Sequence, residues 1–175
     1  MKINNLSCNL CPRINKNFSV LKKDFPTYHN KPVTGRGNIH SKICIVGLAP
    51  GLHGANKTGI TFTGDFCSNI LKISLDQSNL SYPDEFYLTN ALKCLPPKNK
   101  PLSSELKQCS VYLNNELSLM SNLKIVIALG SIAHQAVLTS LQMPLKAYKF
   151  SHSSIHNLGN IHMIDSYHCS RININ

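Results

Sequence analysis

Lys42-Ile-Cys-Ile-Val-Gly47 runs directly into Leu48-Ala-Pro-Gly-Leu-His-Gly-Ala-Asn-Lys-Thr-Gly-Ile-Thr-Phe-Thr-Gly-Asp65, and this junction decides the fold. The first run is short and aliphatic and does not alternate cleanly with polar residues. That is the pattern of a strand covered on both faces, as in a parallel sheet. The nineteen residues from Gly47 to Asp65 carry five glycines, together with His53, Asn56, Lys57 and Asp65. No Gly-x-Gly-x-x-Gly stands at the strand end and no Gly-Lys-Ser/Thr occurs, so neither a dinucleotide fingerprint nor a Walker loop is present. An ordinary long loop is the plain alternative. Loops of this length in compact domains are usually functional, and glycines let backbone approach a ligand closely.

Outward from this junction the pattern repeats. Glu85–Asn90, Lys124–Gly130 and, more weakly, Ile161–Ser166 read as further buried strands. Helical patterns lie between them: Phe66–Leu75, Ser104–Leu119 (with Ser103-Ser-Glu-Leu as its start and Pro101 before it), and Ser131–Leu141, stopped by Pro144. Strands alternating with helices predict an α/β fold with a four-stranded, mostly parallel sheet. The first forty residues differ. Pro12, Pro26, Pro32, Gly35 and Gly37 punctuate them, which predicts a short helix over Phe18–Lys23 followed by an irregular arm. Lys93–Ser103 reads as a Pro- and Lys-rich loop.

With 175 residues the chain reads as one domain, 1–175, long enough to bury a real core. It has no repeat, no secretory signal pattern and no apolar run long enough to cross a bilayer. A cytoplasmic monomer with reduced cysteines is the expectation. Lys plus Arg number 18 against 8 Asp plus Glu, a net charge of +10. A coding bias accounts for Lys in place of Arg but not for the excess of base over acid. That excess is the footprint expected for a polyanion partner, although charge alone leaves nucleic acid, an anionic membrane surface and no specific partner all open.

Four of the seven cysteines fall into two pairs. Cys8 and Cys11 form a Cys-x-x-Cys, and fourteen residues separate Cys94 from Cys109. A Cys-x-x-Cys puts two sulfurs on one tight turn, and four thiolates suit a structural zinc or an iron–sulfur cluster if the fold joins the pairs. Unrelated core thiols are the alternative. The polar setting of Leu6-Ser-Cys-Asn-Leu-Cys-Pro12 counts against it.

In open α/β sheets ligands bind beyond the carboxyl ends of the strands. Asp65 closes the first loop, Asn90 ends the second strand, and Tyr167-His-Cys-Ser-Arg171 follows the fourth. Read singly, Asn90 is a turn or cap residue and His168 a structural histidine. Their shared place at one sheet end is what makes them candidates.

These segments together resemble type B (family 5) uracil-DNA glycosylases. Gly47–Asp65 is similar to the first motif of that family, Leu88-Thr-Asn-Ala-Leu-Lys-Cys-x-Pro-Pro97 to the central motif, and His168-Cys-Ser-Arg-x-Asn173 to the closing motif. The four cysteines match the cluster-ligand pattern of families 4 and 5. The resemblance implies a three-layer α/β/α sandwich and a [4Fe–4S] cluster on Cys8, Cys11, Cys94 and Cys109. It implies a DNA repair enzyme that hydrolyses the N-glycosidic bond of uracil and related deaminated bases, leaving an abasic site. By resemblance His168 would face the base O2, Asn90 would read its polar edge and Phe62 would stack on its ring. Gly47 to Gly51, Ala49 included, would supply backbone donors, with His53 and Ser170 also in the substrate site. Asp65 would orient water or offset positive charge on the sugar. Arg171, Lys57 and the Lys93–Lys100 loop would meet phosphates or enter the duplex. Leu48 stands where family 4 carries a water-positioning carboxylate, which separates this chain from that family. Family members continue past the closing motif into another helix, so a chain ending at Asn175 implies a domain shortened at its C-terminus. The rival of a different class is a non-catalytic or degenerate iron–sulfur nucleic-acid-binding module, which would share the charge and the cluster but need no pocket.

Overall fold

A computed structural model describes residues 8–80 and 85–170. Six strands form one sheet: β1 (Arg36–Gly37), β2 (Ile43–Gly47), β3 (Phe86–Asn90), β4 (Ile125–Leu129), β5 (Ile155–Asn157) and β6 (His162–Ser166). Their order across the sheet is β1-β3-β2-β4-β6-β5. The four anticipated strands form its parallel centre, with Ile43 in register with both Phe86 and Ile125, and Ile125 with His162. The edges add what sequence does not announce. β1 pairs antiparallel with β3, and β5 antiparallel with β6. Strands of two and three residues are too short to display a period.

Burial of both sheet faces explains the aliphatic runs. On one face Cys44, Val46, Tyr87, Val126, Ala128 and Met163 pack against Leu113 and Leu117 of α4 (Ser103–Leu119) and Ala133, Val137 and Leu138, which belong to α5 (Ser131–Ser140). On the other, Ile45, Phe86, Leu88 and Leu129 pack against Leu71 and Leu75 of α3 (Phe66–Gln77). Alternate residues of each strand serve opposite layers, so the molecule is the expected α/β/α sandwich.

The first helix is longer than its sequence suggested. α1 runs Pro12–Asp24, not Phe18–Lys23. Pro12 stands at the start of the helix, where a missing N–H costs nothing, and it opens the helix rather than breaking it. Ile14, Phe18 and Leu21 form its buried face against Leu92, Leu95 and Cys109. A single turn of helix, α2 (Ala55–Thr58), lies within the glycine-rich loop. Among the described residues, no helix is long and apolar enough to cross a membrane.

Candidate active site

The chain leaves β2 through α3 for β3 on one side, then returns through α4 to β4 on the other. The order therefore reverses at β2, and a crevice opens between the carboxyl ends of β2 and β4. A cleft of about 370 Å³ lies there, lined by Leu48 after β2, Leu129 to Ile132 after β4, and Phe150, Tyr167 and His168. His168 packs beside Gly130: a Cβ on that glycine, which has φ +99°, would stand 3.7 Å from the His168 Cβ. The Ser170 amide donates to the His168 carbonyl at 2.8 Å, so Ser170 closes a tight turn after the histidine. Arg171 lies outside the described residues.

Three anticipated residues meet beside this cleft. A Cβ on Gly47 would stand 2.7 Å from Asn90 Oδ1 and 2.8 Å from Phe62 Cζ. Only a residue without a side chain lets these two groups close over the end of β2. Phe62 holds φ +51°, a left-handed backbone that an aromatic residue seldom adopts. Asn90 is buried, and its carbonyl accepts from Lys93 Nζ at 2.8 Å.

Asp65 has two tasks. It caps α3: its Oδ1 accepts the Ser68 amide at 2.9 Å while Ser68 Oγ accepts the Asp65 amide at 3.1 Å. Its Oδ2 is turned to the glycine loop, where a Cβ on Gly51 would come within 2.7 Å of it and one on Gly54 would overlap it. His53 is exposed, and its Nδ1 meets the Tyr28 hydroxyl at 3.0 Å, while Lys57 Nζ lies 5.4 Å from the Tyr28 ring centre. Ala49 and Leu52 pack on the α1 cluster, which fixes the path of the loop between them. Tyr28 carries no sequence signal that would have marked it.

One expectation is overturned. Lys93, read as part of a DNA-facing loop, is 1% exposed. Its ammonium donates to Glu116 Oε2 at 2.6 Å, Thr89 Oγ1 at 2.5 Å and the Asn90 carbonyl. Glu116, itself fully buried, also accepts from Thr89 Oγ1 at 2.6 Å and the Gly35 amide at 3.0 Å. A buried ammonium needs such a counter-ion. The partner sits on α4, too far along the chain for local pattern to reveal. Lys98 and Lys100 of the same loop are exposed as anticipated.

A second network carries no sequence signal. Asp165 of β6 is buried, with His134 Nδ1 at 2.8 Å from Oδ1 and His156 Nε2 at 2.8 Å from Oδ2. His134 Nε2 meets the Tyr148 carbonyl at 3.2 Å. The three side chains are close enough to ligate an ion, but their mutual hydrogen bonds already account for the arrangement. They tie residues 148–157 to the strand that delivers His168. Tyr167, stacked on His152 at 4.7 Å, extends that tie into the cleft wall.

Cys8, Cys11, Cys94 and Cys109 line one cavity, joined by Lys93, Gln108 and Tyr112. Cys11 precedes α1, Cys94 follows β3 and Cys109 lies on α4. Burial and the neighbouring sulfurs push Cys94 up, and burial above all lifts Cys109 to about 11 despite the Lys93 amide on its sulfur at 3.3 Å. A hydrogen bond to Cys8, together with burial, carries Tyr112 to about 12. Thiols crowded in this way resist ionising together until a cationic centre joins them, so the donor set suits a four-thiolate metal group.

The sheet, its switch-point cleft and the loops around it define a class, and comparison with known sequences gives the same one. The profile of the Uracil DNA glycosylase superfamily matches residues 34–175, and the chain belongs to that family. It is 37% identical to the type-5 uracil-DNA glycosylase of Thermus thermophilus over 95% of this chain and 84% of that protein. It is 36% identical to the type-5 uracil-DNA glycosylase of Pyrobaculum aerophilum, over 97% of this chain and 81% of the relative. Similarity to the type-4 uracil-DNA glycosylase of Thermotoga maritima is more partial, 33% over 58% of this chain and 51% of the relative.

Proposed function

We propose that this chain excises uracil and related deaminated bases from DNA, hydrolysing the N-glycosidic bond and leaving an abasic site. The observation that carries the reading is the closure of Asn90 and Phe62 over Gly47 beside the switch-point cleft that His168 lines. A non-catalytic binding module has no use for a backbone held this tightly under an amide and a ring.

A base must leave the stack to reach such a site. Phe62 offers it a stacking face, and the Asn90 amide offers one donor and one acceptor to its polar edge. As the C1′–N1 bond breaks, its electron pair goes to the base and positive charge develops on the sugar. His168 donates to the base oxygen on which the negative charge accumulates. Asp65 Oδ1 is spent on its helix cap, so Oδ2 is the oxygen that orients the water attacking C1′. Exposed Lys57, Lys98 and Lys100 meet phosphates of the duplex.

Cys8, Cys11, Cys94 and Cys109 are proposed to hold a [4Fe–4S] cluster, in keeping with their common cavity and thiolate donor set. When bound, the cluster supplies a covalent tie among α1, the segment after β3 and α4. Purified protein incubated with a uracil-containing duplex, then treated with alkali, tests the activity. Strand cleavage at the uracil position is the expected result, and an intact strand with every deaminated base would refute it.

A further inference from the structure

Cys67 and Cys169 have no part in the cluster cavity or in the base-reading group. Cys67 is the second residue of α3, just past the Asp65 cap, and Cys169 directly follows His168. The two lie 102 residues apart in the chain, yet the Cys169 thiol donates to the Cys67 carbonyl at 3.3 Å. Each thiol bears on the other's ionisation, and the His168 ring bears on that of Cys67. Both cysteines are free and half-buried. A dithiol thus joins the first loop to the closing motif, with an imidazole beside it.

The pair is polarised. The Cys67 thiol holds Cys169 below the usual thiol range, although burial and the Asp65 charge oppose it. Cys169 above all pushes Cys67 up, against the opposing effect of His168. A thiolate-prone sulfur next to a protonated one is the arrangement that thiol–disulfide exchange needs.

We propose that Cys67 and Cys169 form a reversible disulfide on exchange with low-molecular-weight disulfides such as glutathione disulfide, which pins the closing motif to α3 and suppresses base release. The inference rests on the reading of this site as a glycosylase. The Cys169 thiolate attacks one sulfur of the small disulfide. A Cys169–sulfur bond forms, the oxidant's S–S bond breaks, and one small thiolate leaves. Cys67 then gives up its proton to His168 or solvent and attacks the Cys169 sulfur, expelling the second thiolate. Two cysteine thiols lose two electrons and two protons, and the oxidant becomes two thiols. The Cys169 sulfur, 3.3 Å from the Cys67 carbonyl, must move to within about 2.05 Å of the Cys67 sulfur, which draws the backbone beside His168 toward α3. A displacement of about 1 Å at a reacting centre can cost on the order of 10²-fold in rate.

The test incubates the reduced, anaerobically purified full chain in graded glutathione–glutathione disulfide mixtures. After free thiols are alkylated, peptide mass spectrometry maps cross-links, and single-turnover base release is measured on the same samples. A Cys67–Cys169 peptide should appear in one two-electron transition while the rate falls by roughly 10²-fold, and dithiothreitol should restore both. Cys169→Ser should form no such cross-link and keep its own reduced rate in the most oxidising mixture, whereas Cys67→Ser, lacking the resolving thiol, should accumulate glutathione on Cys169. Glutathione on Cys169 of the wild type without the cross-link, or a cross-linked protein at the reduced rate, would overturn the inference. A mapped cross-link in protein that is inactive even when reduced would remove the glycosylase reading and leave the disulfide site standing, whereas an active protein without the cross-link would remove this inference alone.

Discussion

His168 lines the cleft by virtue of the turn that Ser170 closes and the glycine at position 130 beside it. Removing a donor aimed at developing negative charge costs on the order of 10²–10³ in rate in well-studied sites. His168→Ala should slow base release by that order while duplex affinity, measured by fluorescence anisotropy, stays within about twofold. Asp65 is a harder residue because its carboxylate serves the helix as well as the site. Asp65→Ala should lose both, including about 1 kcal/mol of helix cap. Asp65→Asn keeps a competent cap acceptor but not the charge. It should therefore melt near the wild-type temperature and still release base more slowly under single-turnover conditions; wild-type rate in that variant would leave Asp65 a cap only. The neighbouring thiols give a pH-dependent readout. Because the folded-state Cys169 thiol ionises below its ordinary range, its alkylation by iodoacetamide should set in at lower pH than that of a model thiol, titrating near about 8.5. Cys44, buried in β2 and pushed up by that burial, should stay unlabelled until the protein unfolds.

The central strands were legible because each is an uninterrupted aliphatic run, and burial between two helix layers requires such a run. α1 was half legible: Phe18 and Leu21 carried the period, but Pro12 looked like a breaker when it is the first residue of the helix. Lys93 was misread for a physical reason. Lysine beside prolines in a loop ordinarily faces water, and only the crossing of α4 over the end of β3 supplies Glu116 to an ammonium that is 1% exposed. The Lys93–Glu116 pair fastens those two elements and, through the Asn90 carbonyl, the strand end that carries the Asn90 amide. Removing one partner leaves the other as an uncompensated buried charge, at a cost of about 3–5 kcal/mol. Glu116→Gln and Lys93→Met should each lower the melting temperature by roughly 6–20 °C, at about 2–4 °C per kcal/mol for a chain of this size. The double variant Lys93→Met, Glu116→Leu should recover part of that loss, since two apolar side chains satisfy each other where a lone charge cannot. Additive losses in the double variant would mean that the two residues act independently.

Across the whole molecule, charge and the cysteine cavity are coupled through one stretch of chain. The net charge of +10 favours a polyanion, and the buried Lys93–Glu116 pair adds nothing to it, so the whole excess of base over acid stands on the other residues. The exposed cations Lys98 and Lys100 sit just past Cys94, and Arg13 of α1, two residues past Cys11, donates to the Lys100 carbonyl at 3.0 Å. The proposed centre, by joining Cys11 to Cys94, would therefore hold the basic turn in place as well as α1. Four thiolates on one [4Fe–4S] cluster should give brown protein with four iron and four sulfide per chain; colourless protein holding one zinc would replace the cluster with a structural metal. Replacing Cys94 by Ser should remove the colour and loosen the turn that presents Lys98 and Lys100. Binding to undamaged duplex should then weaken, and the slope of log affinity against log salt should become shallower by about one unit for each phosphate that a lysine no longer neutralises. On the proposed mechanism, chemistry on a base already in the cleft depends on His168, Asn90 and Asp65, none of which lines the cysteine cavity. Single-turnover release at saturating protein should accordingly fall less than affinity does. A Cys94→Ser protein with the wild-type salt slope would show that the cluster fastens α1 alone and that the basic turn holds its place without it.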